Sequence, residues 1–335
     1  MRKVLLATTA IVAVAGVAQA DISISGKFEM GYQTESDDTT YDQDAMFQAD
    51  SVTFSFTNTT DSGLSISGTS IYDSDAGGAD ESSFTVGGDF GSVTLGQNDG
   101  AGANFTPWVV AFNNNLGSYD AGVPTIDNTG ADLVGVYAYP IYRSDDEVKL
   151  TYTSPSMGGF SFGYSMADTA TTDGQTSTTT GTTSADTEAN TSFGASYSSE
   201  MGGVSVHITA MMEDSGEATD TTENDAYGIS LSSGGVTLSA ATGGTKTGTT
   251  IDSDTSVIGV GYQVNDDLTV AYHYVDSENS ITSGDTFKAN GISASYNIAS
   301  GLNFSVSMNN YEGTEGAGNT TNDGSNVRAS LVAKF

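Results

Sequence analysis

Apolar and polar residues alternate through most of this chain, in short runs broken by glycine- and aspartate-rich stretches. In Asp21 to Gln33, Ile22, Ile24, Phe28, Met30 and Tyr32 share one parity, and Ser23, Ser25, Lys27 and Glu29 share the other. A period of two marks a strand with one apolar and one polar face. The pattern recurs in Val52–Phe56, Leu64–Tyr72, Phe84–Val86, Val93–Leu95, Val148–Tyr152, Phe160–Met166 and Phe193–Tyr197. It continues in Val204–Met212, Tyr227–Leu231, Val236–Ala240, Ile258–Tyr262, Leu268–Tyr274, Ile292–Tyr296, Leu302–Met308 and Val327–Phe335. These runs predict sixteen strands joined by seven short turns and eight long connections in strict alternation. Residues 34–46, 73–81 and 168–190 read as loops, the last a Thr/Ser-rich tract.

An even strand count with alternating short and long connections predicts a transmembrane β-barrel. Sixteen strands enclose a bore too wide for side chains to fill. The Ser/Thr face is therefore expected to line water and the aliphatic and aromatic face to meet lipid. Hydrocarbon offers no hydrogen-bond partners, so the sheet must close, and Asp21–Gln33 is expected to pair with Ser325–Phe335. Tyr32, Tyr72, Tyr197, Tyr227, Tyr262, Tyr274 and Tyr296 stand near strand ends, as interfacial girdles require. The alternation stops once, from Gln97 to about Arg143. A connection of that length in a compact domain is usually functional, and it is expected to fold into the tube.

Met1–Ala20 has a basic start (Arg2, Lys3), an apolar run from Val4 to Val17 and an Ala-x-Ala end at Ala18–Ala20. This is a secretory signal, expected to be cut after Ala20 and to leave a barrel domain over residues 21–335. The apolar run is shorter than the about 20 residues of a spanning helix. Without Arg2 and Lys3 the chain keeps 7 basic against 42 acidic residues, a balance of −35. Such a charge excludes nucleic acid as a partner, because phosphate binding needs a basic face. High charge with little hydrophobicity also marks disorder, but 16 Tyr, 14 Phe and the period-two pattern argue for a fold. With no cysteine there are no disulfides, thiolate metal sites or cysteine nucleophiles.

Several stretches carry a family resemblance. They are DISISGKFEMGY after the signal, TNTTDSGLSISG (Thr57–Gly68), GDFGSVTLGQ (Gly88–Gln97), YRSDDEVKLTYTSPSMGGFSFGYSMAD (Tyr142–Asp168) and the ending SLVAKF. In this order, over the whole length, the chain resembles the Gram-negative general-diffusion porins of purple photosynthetic bacteria and their relatives. The resemblance implies an outer-membrane homotrimer of sixteen-stranded barrels passing small hydrophilic solutes. It implies a third long loop, here residues 97–143, folded inward to narrow each pore. The terminal Phe335 resembles the assembly signal read by the barrel-insertion machinery. The lumen of this chain carries few basic residues.

Strand parity points Lys27, Lys149 and Arg328 inward, and Arg143 lies where the family often has a wall arginine. These four are the candidate basic wall. Asp99, Asp120, Asp127 and Asp132 in the long loop are the candidate acidic rim, and opposed charges across a bore make a transverse field. Trp108, with its apolar neighbours, is the candidate loop anchor. Asp73, Asp75, Asp80 and Glu81 resemble part of a calcium loop, although the third acid and the flanking helices of an EF-hand are missing. Ca²⁺ held diffusely by acidic outer loops, bridging lipopolysaccharide phosphates, is the one metal reading; no other cofactor is implied. No motif singles out a Ser–His pair from the two histidines, His207 and His273, so an enzyme is not expected. The alternatives are a substrate-selective channel on the same scaffold and an extracellular structural or adhesive β-protein.

Overall fold

A computed structural model describes residues 21–37, 42–73, 78–110, 148–167, 189–215, 221–249, 251–281, 285–315 and 320–335. The signal at residues 1–20 lies outside them. Among the described residues there are sixteen strands. The first eight are β1 (Asp21–Asp37), β2 (Asp42–Thr59), β3 (Ser65–Asp73), β4 (Gly78–Gly88), β5 (Gly91–Gln97), β6 (Val148–Thr153), β7 (Phe160–Ala167) and β8 (Asn190–Met201). The rest are β9 (Val204–Asp214), β10 (Thr222–Ser233), β11 (Val236–Thr247), β12 (Ile251–Gln263), β13 (Leu268–Asn279), β14 (Thr286–Ala299), β15 (Leu302–Glu315) and β16 (Thr320–Lys334). Each pairs antiparallel with its neighbours in sequence, and β1 pairs with β16 to close the ring.

The seam between β1 and β16 runs over eleven residue pairs, from Lys27 opposite Lys334 to Asp37 opposite Gly324. Gly26 and Phe335 then exchange both backbone hydrogen bonds, each 3.1 Å. Closure leaves neither edge strand with unpaired amides, which hydrocarbon would penalise. The Phe335 ring stacks on Phe28 at 6.2 Å on the outer face and covers Gly26, where an added Cβ would stand 2.5 Å from its Cζ. Gly26→Val is therefore expected to cost about 1–3 kcal/mol by overpacking. Loss of the folded band on a gel should occur at a lower temperature, and adding Phe335→Ala should restore part of the difference. Melting unchanged by Gly26→Val would contradict this role for the terminal ring.

The outer face is apolar from strand to strand: Ile22, Phe54, Leu95, Leu150, Ile208, Leu238, Ile258, Ile292 and Leu331 all point away from the bore and stay exposed. Tyr32, Tyr72, Tyr197, Tyr227, Tyr262 and Tyr296 share this face and its exposure. The inner face is mainly hydroxyls and amides joined across strands, as in Ser305–Ser330 at 2.9 Å, Thr255–Ser277 at 2.8 Å and Asn309 Nδ2 donating to Asn326 Oδ1 at 2.8 Å.

Two expectations are corrected. Residues 34–46 do not form a loop throughout, since β1 runs to Asp37 and β2 starts at Asp42, pairing as Ser36 opposite Asp42. In the same way β4 starts at Gly78, inside the expected loop 73–81. Above the hydrocarbon both faces of a strand are wet, so a ladder continues without any alternation to announce it. The second correction concerns the lumen face, which is not uniformly polar. Ala241, Val257, Val275, Phe287, Ala289 and Tyr311 form a buried apolar cluster along β11–β15, with Phe287 and Tyr311 stacked at 6.4 Å. Their parity is opposite to that of Ile258, Tyr274, Ile292 and Met308, so they line the inside.

Candidate pore constriction

After β5 the chain turns inward. Gly100–Val110 lies along the lumen wall from β7 to β12, beginning with one helical turn, α1 (Ala101–Asn104). No side chain caps α1 from within the segment; two wall serines take its first free amides. Ala101 N–H donates to Ser165 Oγ at 3.1 Å and Gly102 N–H to Ser192 Oγ at 2.9 Å. Serine is short enough to reach backbone without holding it off the wall. Further on, Val110 N–H donates to Ser239 Oγ at 2.9 Å. Before the turn, Thr151 on β6 donates to Asn98 Oδ1 at 2.8 Å and fixes the departure point.

Apolar contact does the rest. Phe105 (6% exposed) packs with Met211 and Ala226, and Val109 joins the apolar cluster on β11–β15. The wall makes room with glycines of lumen parity. A Cβ on Gly163 would stand 2.8 Å from Phe105 Cε2, and one on Gly261 2.6 Å from Val110 Cγ2. A Cβ on Gly194 would collide with Phe105, one on Gly228 with Pro107 and one on Gly259 with the Val110 carbonyl. Gly163 and Gly194 face each other across β7 and β8. A glycine inside a strand weakens it and signals a close backbone approach. Here the row of glycines forms the track in which the segment lies.

Trp108 is 38% exposed, whereas Phe105, Pro107, Val109 and Val110 are buried. Phe105, Pro107, Val109 and Val110 supply the buried apolar contacts of the segment. Asp99 is exposed just before α1, with its carbonyl accepting from Asn104 Nδ2 at 3.2 Å. Asp120, Asp127, Asp132 and Arg143 lie outside the described residues, as does the rest of the long connection beyond Val110.

Of the basic residues, Lys27 and Arg328 are brought together at the β1–β16 seam and Lys149 is not. Lys149 is buried on β6, five strands away round the ring. Lys27 and Arg328 share one carboxylate: Lys27 Nζ lies 3.0 Å from Glu29 Oε2 and Arg328 Nη2 3.1 Å from Glu29 Oε1. Sequence reasoning turned Glu29 inward but missed this pairing, because Arg328 stands 299 positions away and only closure brings it near. The glycine track was also missed, although its signal was present. Gly163, Gly194, Gly228, Gly259 and Gly261 occupy mid-strand positions of polar parity, where serine and threonine are the rule. His207 sits on the bore side, exposed, with Ser198 Oγ 2.8 Å from its Nδ1.

Of the candidate calcium residues, Asp73, Asp80 and Glu81 lie on β3 and β4. Asp75 lies outside the described residues, and Asp80 is the extra residue where the β3–β4 register shifts between Ile71 and Tyr72. Among the described residues no three His, Cys, Asp or Glu side chains stand close enough to hold a metal ion.

Comparison with known proteins agrees with this architecture. Among curated protein sequences none matches the chain. An anion-selective porin from Comamonas acidovorans shares 15% identity over 95% of this chain and 100% of its own, with a TM-score of 0.64. A triple mutant of the Rhodopseudomonas blastica porin shares 17% over 94% of this chain and 100% of its own, with a TM-score of 0.63. A further porin, refined at 1.8 Å, shares 17% with the same coverage and a TM-score of 0.62. At such identities these structures speak for the fold. The family model of the Gram-negative porins matches residues 7–329, nearly the full length, and the chain belongs to that family.

Proposed function

We propose that this outer-membrane β-barrel lets small hydrophilic solutes and ions diffuse passively through a bore narrowed by the segment that begins at Gly100. The observation that carries the reading is the seating of Gly100–Val110 on the inner wall of a ring whose outer face is apolar. Water fills what the wall and segment leave open, and charged side chains on both then act on passing ions in a confined space. The acidic rim would be Asp99 with Asp120, Asp127 and Asp132; the basic wall would be Lys27, Lys149, Arg328 and Arg143. Family membership supports a homotrimer, inserted by the barrel-assembly machinery after removal of residues 1–20. Outward carboxylates beyond the tyrosines, among them Glu223, Asp225, Asp254 and Glu278, would meet lipopolysaccharide phosphates through divalent cations. No catalytic role is assigned to the exposed Ser198–His207 pair.

Purified protein in a planar bilayer is expected to give steps of conductance that rise in proportion to salt concentration. On an unheated gel it should run as a trimer. Saturable block by a single solute would instead mark a substrate-selective channel, and absence of conductance would mark a structural or adhesive protein.

A further inference from the structure

The β1–β16 seam carries a group of lumen-facing side chains with a geometry of its own. Glu29 stands near the middle of β1, 4% exposed, held between Lys27 and Arg328. The Arg328 guanidinium also stacks over the Phe47 ring, 4.0 Å from its centroid. Phe47 can lie there because the facing residue is Gly31, where any Cβ would meet the ring. Arg328 is thereby turned along the wall toward Glu29 and is only 11% exposed, while the Lys27 side chain stays 34% exposed to the bore.

The place of this group in the ring gives it a consequence. β9 and β10 stand half-way round the barrel from β1 and β2, and the constriction segment crosses the wall at β7–β12. The group therefore faces that segment across the water. Lys334, exposed, of lumen parity and paired with Lys27 across the seam, adds a third cation, so the group sums to two positive charges where the cations alone would present three. Resting on that channel function, we propose that Glu29 determines the ion preference of the pore, by cancelling one of the three seam cations Lys27, Arg328 and Lys334 opposite the constriction segment. Glu29 acts through its charge on passing ions and touches no substrate.

The test is charge counting in intact channels. In a KCl gradient at or below about 0.1 M, where a charge is felt out to about 10 Å or further, the zero-current potential gives the chloride-to-potassium permeability ratio. Glu29→Gln, close in shape and uncharged, is expected to raise that ratio about two- to fourfold, the size a unit charge produces at about 10 Å in water. Lys27→Met should lower it by a similar factor. The double variant Lys27→Met/Glu29→Gln restores the parent's net charge at the seam and should return close to the parent ratio. A ratio unmoved by Glu29→Gln in a folded, heat-resistant barrel overturns the proposal, as does a shift toward potassium or a double variant that fails to return. A carboxylate that only ties β1 to β16 would lower heat resistance and leave the ratio alone. Should Glu29→Gln not fold, Lys27→Met decides alone, since that side chain is about a third exposed to the bore, and an unchanged ratio then rejects the assignment.

Discussion

Phe105→Ala is expected to turn a quiet single-level channel into a fluctuating one. The ring is the largest apolar group by which the constriction segment grips the wall, buried against Met211 and Ala226 and lying over Gly163 and Gly194. Truncating a buried phenylalanine costs about 3–5 kcal/mol. Here that cost falls on the equilibrium between seated and unseated segment, because the ladders do not depend on Phe105. At about 1.4 kcal/mol per tenfold, the unseated fraction should grow by two orders of magnitude or more. The amide bonds to Ser165, Ser192 and Ser239 remain, each worth about 1 kcal/mol net, and they do not replace the lost burial. Single-channel recordings should show excess open-state noise and several levels, with the heat resistance of the barrel unchanged. Gly194→Leu should act in the same sense from the other side, since a side chain there occupies the place of the ring. A current as steady as that of the parent protein in both variants would mean that the segment is held by something other than this contact.

Ile208→Arg and His207→Arg form the second test, two neighbours with opposite fates. Ile208 is central in the outward stripe of β9, 43% exposed, with Tyr197 and Ile229 opposite it on β8 and β10. An arginine facing lipid in a barrel costs from about 1 kcal/mol near the interface to about 2–4 kcal/mol at the midplane. His207 faces water in the bore, where an arginine keeps its hydration. Folding yield into lipid vesicles, followed by gel mobility across a urea series, should drop for Ile208→Arg and stay near parent for His207→Arg. The reverse order, or equal losses, would mean that the faces have been assigned the wrong way round.

The sheet was legible in the sequence to the extent that lipid imposed a pattern on it. Where a strand crosses hydrocarbon, one parity must be apolar, and Ile22 to Tyr32 or Ile258 to Tyr262 show it plainly. The same parity places Lys27, Lys149 and Arg328 on the inner face. Where the ladder rises into water the constraint lapses, so Glu35–Asp37 and Asp42–Asp44 read as loop while pairing as strand. Phe287 and Tyr311 escaped notice for a related reason. They sit beyond the apolar stretch of β14 and β15, and only extending the parity past Ile292 and Met308 turns them inward. The ion group at the seam was out of reach, because proximity of Glu29 to Arg328 follows from ring closure and register, which no local window contains. Trp108 is the single tryptophan, and the buried contacts of its neighbours Phe105, Pro107 and Val110 follow from a glycine-lined groove that only the closed ring assembles.

The glycine track also bears on how faithfully the barrel assembles. A strand displaced by one residue presents its opposite face, so a slipped β7 would turn Phe162 or Tyr164 into the position Gly163 holds, and a slipped β8 would put Phe193 there for Gly194. Either ring would evict Phe105, and the segment from Gly100 could not dock. A barrel with an open, unconstricted bore is then the product of misregistered strands, and a correctly narrowed channel certifies that β7, β8, β10 and β12 are in step.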